Sequence, residues 1–292
     1  MESITQKGYA KINLGLDVLR RREDGYHELR MIMQTVDIYD ELLIEKTDEN
    51  GMVTLTANCE GLPLDENNLI VKAARIMMDA YHLSGGLRIH LTKQIPMAAG
   101  MAGGSADAAA TFLGINRLFG LNLTKEELEK HGVRVGADVP YCILGGTCLA
   151  EGIGEILTPI RQLPDVPVVI VKPDFDVSTG YVYGNLHADT LKNHPDIDSQ
   201  IAAIESGDLK RMADLMGNVL QNVTIAGYPQ IDTIKEHMIR MGAYGSMMSG
   251  SGPSVFGLYE TDQVAKEAAS KLRMLYPKAF VTATRFIQVN EE

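Results

Sequence analysis

Residues 96–106, with the sequence PMAAGMAGGSA, constrain the fold more than any other segment of this chain. Apolar residues alternate over 87–91 and predict a strand before the segment, and the run DAAATFL from Asp107 predicts a helix after it. The three glycines allow backbone conformations that other residues avoid and let a ligand come close. A helix start adds unpaired N–H groups and the positive end of the helix dipole. The segment therefore predicts a strand, a phosphate-binding loop and a helix in succession.

Two common phosphate loops do not match this segment. A Walker loop requires Gly-Lys-Ser/Thr after the glycines, whereas Ser105 is followed by Ala106 and Asp107. The glycine spacing is also not that of a Rossmann fingerprint, and the loop lies deep in the chain. We therefore expect a phosphate loop of another class, while tight packing of the helix on a sheet stays open as the alternative.

The acidic composition limits the classes of ligand. The chain has 292 residues with 38 acidic and 27 basic side chains, a formal net charge of -11. Nucleic acids and acidic membranes attract basic surfaces, so we expect neither as a partner. Cys59, Cys142 and Cys148 form no CxxC pair and are expected to be buried thiols. With no targeting segment and no apolar run near the roughly 20 residues of a membrane span, a cytoplasmic protein is predicted.

The length suits two domains, and the prolines at 159, 164 and 167 mark a boundary, so we predict domains at 1–160 and 161–292. The first domain is expected to contain strands within 8–46 and at 52–57, helices at 69–81 and 105–118, and a capping box at 124–127. The second is expected to contain strands at 166–172 and 279–285 and helices near 208–222, 230–242 and 263–275. This order indicates an α+β fold with a ferredoxin-like second half.

Two segments near the N-terminus carry residues suited to chemistry. Lys11 and Asn13 share one face of an apolar strand, where a buried lysine would need an anion, although an edge strand with Lys11 in solvent is the alternative. Tyr26 and His27 follow a turn and could stack on and hydrogen-bond a planar heterocycle. A surface turn with no ligand remains the alternative there.

Two later segments are also candidates. Asp138, between Gly136 and Pro140, could be a general base or a helix cap. The sequence SGSGPS at 249–254 is a second glycine-rich loop, suited either to an anion contact or to a flexible hairpin turn. None of the four segments is specific alone, so their combination has to carry the inference.

In combination, the motifs resemble the GHMP small-molecule kinases. Lys11, the loop at 96–106 and the SGSGPS loop occur in the order of that superfamily's three motifs and span nearly the whole chain. The segments AKINL, DGYHEL, ENNLI, GADVP and AEGIGE resemble the branch that phosphorylates 4-diphosphocytidyl-2-C-methyl-D-erythritol. The resemblance implies a two-domain α+β fold, with an N-terminal domain like ribosomal protein S5 domain 2 and a ferredoxin-like C-terminal domain.

The same resemblance implies the activity and its partners. It implies ATP-dependent phosphorylation of the 2-hydroxyl of this cytidyl diphosphate substrate, in non-mevalonate isoprenoid precursor biosynthesis. The implied cofactors are ATP and Mg²⁺, with metal ligands unassigned, and the implied assembly is a monomer or a homodimer. A kinase of the superfamily acting on homoserine, mevalonate or a sugar is the first alternative, and a non-catalytic nucleotide-binding regulator is the second.

Matched motif by motif, the resemblance also implies roles for individual residues. Lys11 and Asp138 are the implied catalytic pair. Asn68, Leu69 and Lys93 fall near the adenine. The residues implied around the triphosphate are Pro96, Met97, Ala98, Ala99, Gly100, Met101, Ala102, Gly103, Gly104, Ser105 and Ala106. Those implied at the cytidyl substrate are Asn13, Tyr26, His27, Thr179, and Tyr181 or Tyr183.

Two positions of the loop depart from the family pattern. Ala106 stands where a second serine or a similar small polar residue is usual, and Met101 replaces a commoner leucine. We expect the loop to act through Ser105 and its backbone N–H groups. Tyr26 and His27 favour a nucleobase-bearing substrate over a small polyol.

Overall fold

The computed structural model describes residues 2–288, which form two compact units that interleave along the sequence. Unit 1 consists of residues 2–10, 38–97 and 102–144, and unit 2 of residues 11–37, 98–101 and 145–288. Two long strands, β1 (Ser3–Arg21) and β2 (His27–Thr47), contribute residues to both units. The α+β class is confirmed, whereas the contiguous division at residue 160 stays a prediction.

Unit 1 packs helices on a sheet. Its further elements are β3 (Val53–Ala57), α1 (Leu69–Ala80), β4 (Gly86–Thr92), α2 (Gly103–Phe119), α3 (Lys125–Gly132) and α4 (Val139–Leu144). Strand β4 pairs antiparallel with residues 41–47 of β2 and parallel with β3. Apolar side chains of α1 and α2, among them Met77 and Phe112, pack with Ile89 of β4 in the core. The predicted helices and the Thr124 capping box are confirmed.

Unit 2 contains a four-stranded antiparallel sheet. The four strands are β7 (Pro167–Lys172), β8 (Gly245–Met248), β9 (Val255–Leu258) and β10 (Phe280–Arg285). Unit 2 also contains β5 (Thr147–Gly152), which pairs with β2, and β6 (Ile156–Pro159), which pairs with β5. Its helices are α5 (Thr179–Gly184), α6 (Ile197–Ser206), α7 (Leu209–Asp214), α8 (Gln221–Gly227), α9 (Gln230–Arg240) and α10 (Asp262–Leu275), with a 3₁₀ turn at Ala188–Thr190. The sheet order is β10-β7-β9-β8, and α9 and α10 pack against it. This arrangement confirms the ferredoxin-like expectation.

One predicted helix is wrong. The pattern over 208–222 predicts a single helix, but α7 ends at Asp214 and α8 begins at Gln221. Between them the chain runs beside β1, where the N–H of Leu16 donates to Gly217 O at 2.8 Å and the N–H of Val219 donates to Leu16 O at 3.1 Å. Pairing with a strand far away in sequence therefore overrides the local helical preference.

The expectation of three buried thiols is also only partly right. Cys148 is buried, whereas Cys59 and Cys142 are partly exposed, and all three are free thiols. None of the helices within residues 2–288 combines the length and apolar character needed to cross a membrane.

Candidate active site

The loop at 96–106 has the backbone geometry of an anion site. Ala98, Gly100 and Ala102 adopt left-handed conformations at alternate positions, with φ of 50°, 70° and 57°. Alternation of left-handed with other residues points successive N–H groups into one concavity. A left-handed alanine costs about 1 kcal/mol or more, a strain that clusters at functional sites. The loop therefore holds a backbone conformation that is unfavourable for its two alanines, as is common where a ligand binds.

Helix α2 begins directly after this strained segment. Its N-cap residue, Ala102, gives no side-chain hydrogen bond to the first turn. The first hydrogen bond of the helix runs from the N–H of Ala106 to Ala102 O at 2.8 Å. The N–H groups of Gly103, Gly104 and Ser105 therefore have no helical carbonyl as acceptor, which is the usual state at a helix start. Together with the helix dipole they favour an anion.

The side chain of Ala106 is fully buried, unlike its neighbour Ser105. The backbone of Gly8 packs on the carbonyl of Ala106, since a Cβ added to Gly8 would lie 2.5 Å from that oxygen. A hydroxyl at position 106 would therefore be enclosed within unit 1. The structure leaves Ser105 as the half-buried hydroxyl of the first turn, consistent with the expectation that the loop acts through it.

Asn68 and Leu69 lie at the start of α1, close to the loop. The Asn68 side chain caps this helix: Oδ1 accepts from the N–H of Ile70 at 2.9 Å and Nδ2 donates to Pro63 O at 2.7 Å. A Cβ added to Gly104 would lie 3.6 Å from a Leu69 methyl group. The two residues thus stand beside the loop, while their contact with adenine stays a prediction.

Lys93 lies in a buried ion cluster that the sequence did not predict. Its ammonium donates to Asp40 and, at 2.9 Å, to Asp107. The other carboxylate oxygen of Asp40 accepts the N–H groups of Gln94 at 2.6 Å and Ile95 at 2.8 Å. The cluster therefore fastens the end of β4 to the first turns of α2. Lys93 thus has a structural role here, and its adenine-side role remains a prediction.

The charges in this cluster are tightly coupled. Burial opposes the charge of Lys93, but Asp107 and Asp40 outweigh it and raise the pKa of Lys93. Burial raises the pKa of Asp107 to about 8, with Lys93 opposing the shift and Asp40 adding to it. One oxygen of Asp107 has no hydrogen-bond partner in the described part of the chain. Burial and Asp40 therefore favour the protonated form of Asp107, and Lys93 favours the ionised form.

Asp138 belongs to unit 1 and precedes α4. Its backbone carbonyl accepts the N–H of Cys142 at 3.0 Å, and its side chain is half-buried. A Cβ added to Gly136 would lie 3.8 Å from the hydroxyl oxygen of Ser105, so this segment passes beside the start of α2. The structure thus brings the segment that carries the predicted base beside Ser105 in unit 1.

Lys11 and Asn13 lie on β1 in unit 2. Lys11 is only 5% exposed, so the alternative of an edge-strand lysine in solvent is wrong. Its ammonium donates to Asn13 Oδ1 at 2.9 Å, and its backbone N–H donates to Met101 O at 3.2 Å. A buried ammonium group requires polar or negatively charged partners, and a bound phosphoryl group is one such partner.

The residues predicted for the cytidyl group are partly brought together in unit 2. The rings of His27 and Tyr183 lie 5.2 Å apart at 36°, and Tyr26 is 59% exposed at the adjoining turn. Burial and, secondly, the charge of Arg21 lower the pKa of His27 below the ordinary histidine value. The imidazole is therefore neutral at neutral pH and can both donate and accept hydrogen bonds.

The second glycine-rich loop, 249–254, joins β8 to β9 and is not a flexible turn. All six of its residues are buried. Ser249 Oγ donates to Gly100 O at 2.9 Å, and Ser251 Oγ lies 2.9 Å from Thr179 Oγ1. The loop therefore connects a predicted substrate residue with the middle of the first loop.

The chain is similar to known proteins in sequence and in fold. The family model for the GHMP kinases N terminal domain matches residues 68–146, and the model for the GHMP kinases C terminal domain matches residues 200–278. The curated 4-diphosphocytidyl-2-C-methyl-D-erythritol kinase of Lachnospira eligens is 52% identical over 263 residues, 90% of this chain and 91% of the relative. The chain belongs to the 4-diphosphocytidyl-2-C-methyl-D-erythritol kinase family of GHMP kinases.

Further similar sequences and solved structures support the same family. The family member from Lachnoclostridium phytofermentans is 49% identical over 268 residues, 92% of each chain. A crystal structure of a 4-(cytidine 5'-diphospho)-2C-methyl-D-erythritol kinase aligns with a TM-score of 0.82 at 32% identity, covering 98% of this chain and all of that one. Homoserine kinase from Cytophaga hutchinsonii aligns with a TM-score of 0.80 at 21% identity, over 98% of this chain and 95% of its own, which shows a shared fold. GHMP kinases are ATP-dependent, so ATP is the phosphoryl donor of this family.

Proposed function

We propose that this chain transfers the γ-phosphoryl group of ATP to the 2-hydroxyl of 4-diphosphocytidyl-2-C-methyl-D-erythritol. The observation that carries the proposal is the strained loop and the uncapped start of α2, which present N–H groups to an anion in a chain about half identical to kinases of that name. The neutral imidazole of His27 beside Tyr183 supports a neutral nucleobase over homoserine, mevalonate or a sugar. The family models fall on either side of the proposed domain boundary at residue 160.

Binding of the triphosphate is assigned to backbone groups of the loop. Phosphoryl transfer requires in-line positioning and charge stabilisation more than covalent chemistry by the protein. The N–H groups of residues 103–105 position the phosphates, and these groups together with the dipole of α2 stabilise their negative charge. Adenine is assigned to Asn68, Leu69 and Lys93, which lie close to this loop or to its anchor. Backbone donors explain how an acidic chain holds an anionic nucleotide.

The described residues fit Mg²⁺ only as a companion of the nucleotide. Residues 2–288 contain no cluster of three His, Cys, Asp or Glu that could hold a metal ion. Mg²⁺ is commonly held by substrate phosphates with one or two protein oxygens, so a full protein cage is not needed. Ser105, the half-buried hydroxyl in the first turn of α2, is the protein oxygen donor we assign to it. Held there with the nucleotide, the ion would supply positive charge that offsets the charge of the phosphates.

Asp138 and Lys11 are assigned to the transfer step. Asp138 accepts the proton of the 2-hydroxyl while that oxygen attacks the γ-phosphorus, and the bond from the γ-phosphorus to the bridging oxygen of ADP breaks. Lys11 stabilises the negative charge on the transferred group. The products are ADP and the 2-phosphorylated substrate. His27, Tyr26 and Tyr183 hold the cytosine, and Asn13 and Thr179 hold the remainder of the substrate.

A panel of acceptors tests the reaction. We would incubate the purified protein with γ-labelled ATP and, separately, the cytidyl substrate, homoserine and mevalonate, and identify labelled products. Label should enter only the cytidyl substrate. Comparable phosphorylation of another acceptor would move the chain to a different GHMP activity, and binding of ATP without turnover of any acceptor would support a regulator.

Two substitutions test the residue roles. Asp138→Asn and Lys11→Met should each lower kcat by roughly 10²- to 10⁴-fold, the usual loss on removing an acid–base or charge-stabilising group. The same chemical changes at the exposed Asp48 and Lys266 are matched controls and should leave kcat unchanged. Turnover near wild type in either active-site variant would show that its role is assigned wrongly.

A further inference from the structure

Asn218 is a buried polar residue that neither the motifs nor the proposed mechanism include. It is 6% exposed and lies between α7 and α8. Its Nδ2 donates to two carbonyls, Met248 O at 2.9 Å and Gly250 O at 2.8 Å, while its Oδ1 accepts the N–H of Leu220 at 3.0 Å. Both protons of the Asn218 amide are thus donated to carbonyls at or just before the start of the second glycine-rich loop. A side-chain amide is suited to this role because it combines two N–H donors with a carbonyl acceptor.

The segment that carries Asn218 is itself fixed to β1. The two backbone bonds between Leu16 and residues 217 and 219 form a parallel bridge with that strand. Strand β1 also carries Lys11 and Asn13, both buried. Asn218 therefore holds the second loop at a set position relative to the strand that bears the predicted catalytic lysine.

The second loop in turn holds the first. Ser249 Oγ donates to the carbonyl of Gly100, and a Cβ added to Gly100 would lie 2.9 Å from Gly252 O. A Cβ added to Gly250 would lie 3.2 Å from Gly100 O and 3.6 Å from Asn13 Oδ1. The two backbones are in such close contact that a displacement of 248–250 must displace Gly100.

We infer that Asn218 is a positioning residue for the triphosphate: it fixes the carbonyls of Met248 and Gly250, and through Ser249 it sets the position of Gly100 within the phosphate loop. Asn218 acts through the two loops and does not touch the nucleotide. The inference rests on the proposed function, in which residues 96–106 hold the phosphates of ATP. It predicts that the amide of Asn218 affects ATP binding more than it affects binding of the cytidyl substrate.

The substitution Asn218→Asp tests this with little change of shape. A carboxylate oxygen would face the two carbonyls that the amide now donates to, which removes two buried bonds and adds repulsion. KM for ATP should rise by about tenfold or more, the scale of a buried polar group left unsatisfied, and KM for the cytidyl substrate should rise by a smaller factor. Asn222→Asp, the same change at an exposed position four residues along, is the matched control and should leave both constants unchanged. Should Asn218→Asp not fold, Asn218→Ser, which keeps one donor, replaces it with the same expected direction.

A double-mutant cycle separates positioning from a general loss of stability. Ser249→Ala removes the bond to Gly100 and should also raise KM for ATP. Because Asn218 is inferred to act through Ser249, the double variant should be no worse than Asn218→Asp alone. Independent multiplication of the two effects would overturn the inference. So would a lower melting temperature with unchanged kinetics, or equal increases in both KM values.

A variant within the first loop distinguishes failure of this inference from failure of the proposed function. Gly104→Ala changes the start of α2 and does not touch the second loop. If it raises KM for ATP while Asn218→Asp does not, the inference about Asn218 fails alone. If neither variant alters ATP binding, the phosphate site is misplaced and the proposed function fails with it.

Discussion

The two glycine-rich loops have similar compositions and opposite physical states. In the first, Met97, Ala98 and Gly104 are exposed, and the start of α2 leaves N–H groups without helical acceptors. In the second, residues 249–254 are all buried, and the hydroxyls of Ser249 and Ser251 are hydrogen-bonded to Gly100 and Thr179. Glycine content therefore does not distinguish a loop that binds a ligand from a loop with a purely structural role. What distinguishes them is whether the backbone donors are already used.

The neighbouring elements explain the difference. A helix start leaves its first N–H groups unpaired in every protein, so a loop before a helix can offer donors. A hairpin loop pairs its own backbone: the N–H of Ser249 donates to Ser254 O and that of Gly252 to Ser249 O, both at 2.9 Å. The first loop thus leads into a helix start whose N–H groups lack helical acceptors, whereas the second loop pairs two of its own N–H groups.

The largest expected effect concerns the anchor of the first loop. Lys93→Met leaves the buried Asp40 carboxylate without its cation, so the free energy of unfolding should fall by about 3–5 kcal/mol in urea denaturation. Lys266→Met, at an exposed site, is the control. Unchanged stability would show that Lys93 does not anchor the loop; a higher KM for ATP in that variant would then leave only its proposed place beside adenine.

A pair of glycine substitutions compares the two loops directly. Gly252→Ala forces alanine to φ of 86° and places a Cβ 2.7 Å from Met248 Sδ, so it should lower the free energy of unfolding by about 1–2 kcal/mol. Gly104→Ala meets only an ordinary contact with Leu69 and should not lower stability, yet its methyl group should raise KM for ATP. A destabilised Gly104→Ala with normal kinetics would reverse the assignment of the two loops.

The ion cluster predicts a pH dependence of stability. Burial raises the folded-state pKa of Asp107 to about 8, well above its unfolded value near 3.8, so the folded chain holds a proton that the unfolded chain has lost. The contribution of this group to stability is full below pH 4 and is lost as pH rises toward 8, by at most about 1.4 kcal/mol per pH unit. Denaturation at pH 5 and pH 8 should show a larger fall for wild type than for Asp107→Asn. Parallel profiles would show that Asp107 does not bind this proton.

The smallest expected effect concerns His27. Because burial and Arg21 lower its pKa, the imidazole stays neutral through neutral pH, and KM for the cytidyl substrate should be flat there. KM for the cytidyl substrate should rise only when the pH falls below the ordinary pKa of histidine, and His27→Gln should remove this rise. A rise already present near pH 7 would mean that His27 is charged when the substrate binds.

Local sequence patterns predicted the elements well and the long-range contacts poorly. The helix after the first loop and the Thr124 capping box follow from residues within one or two turns, so the sequence alone was sufficient. Asp40 and Lys93 are 53 positions apart, and Ser249 and Gly100 are 149 apart. Two aspartates within apolar patterns, Asp40 and Asp107, were the available signal for the cluster. No local pattern at Asn218 indicates which carbonyls it bonds.

Amide hydrogen exchange with and without Mg²⁺–ADP tests the difference between the loops most directly. The N–H groups of Gly103, Gly104 and Ser105 should exchange rapidly in the free protein and slow by about tenfold or more when the nucleotide is added. Those of Ser249 and Gly252 should exchange slowly in both states, because their backbone bonds exist without ligand. Protection of 103–105 in the free protein, or no change at saturating nucleotide, would contradict the assignment of this loop to the phosphates.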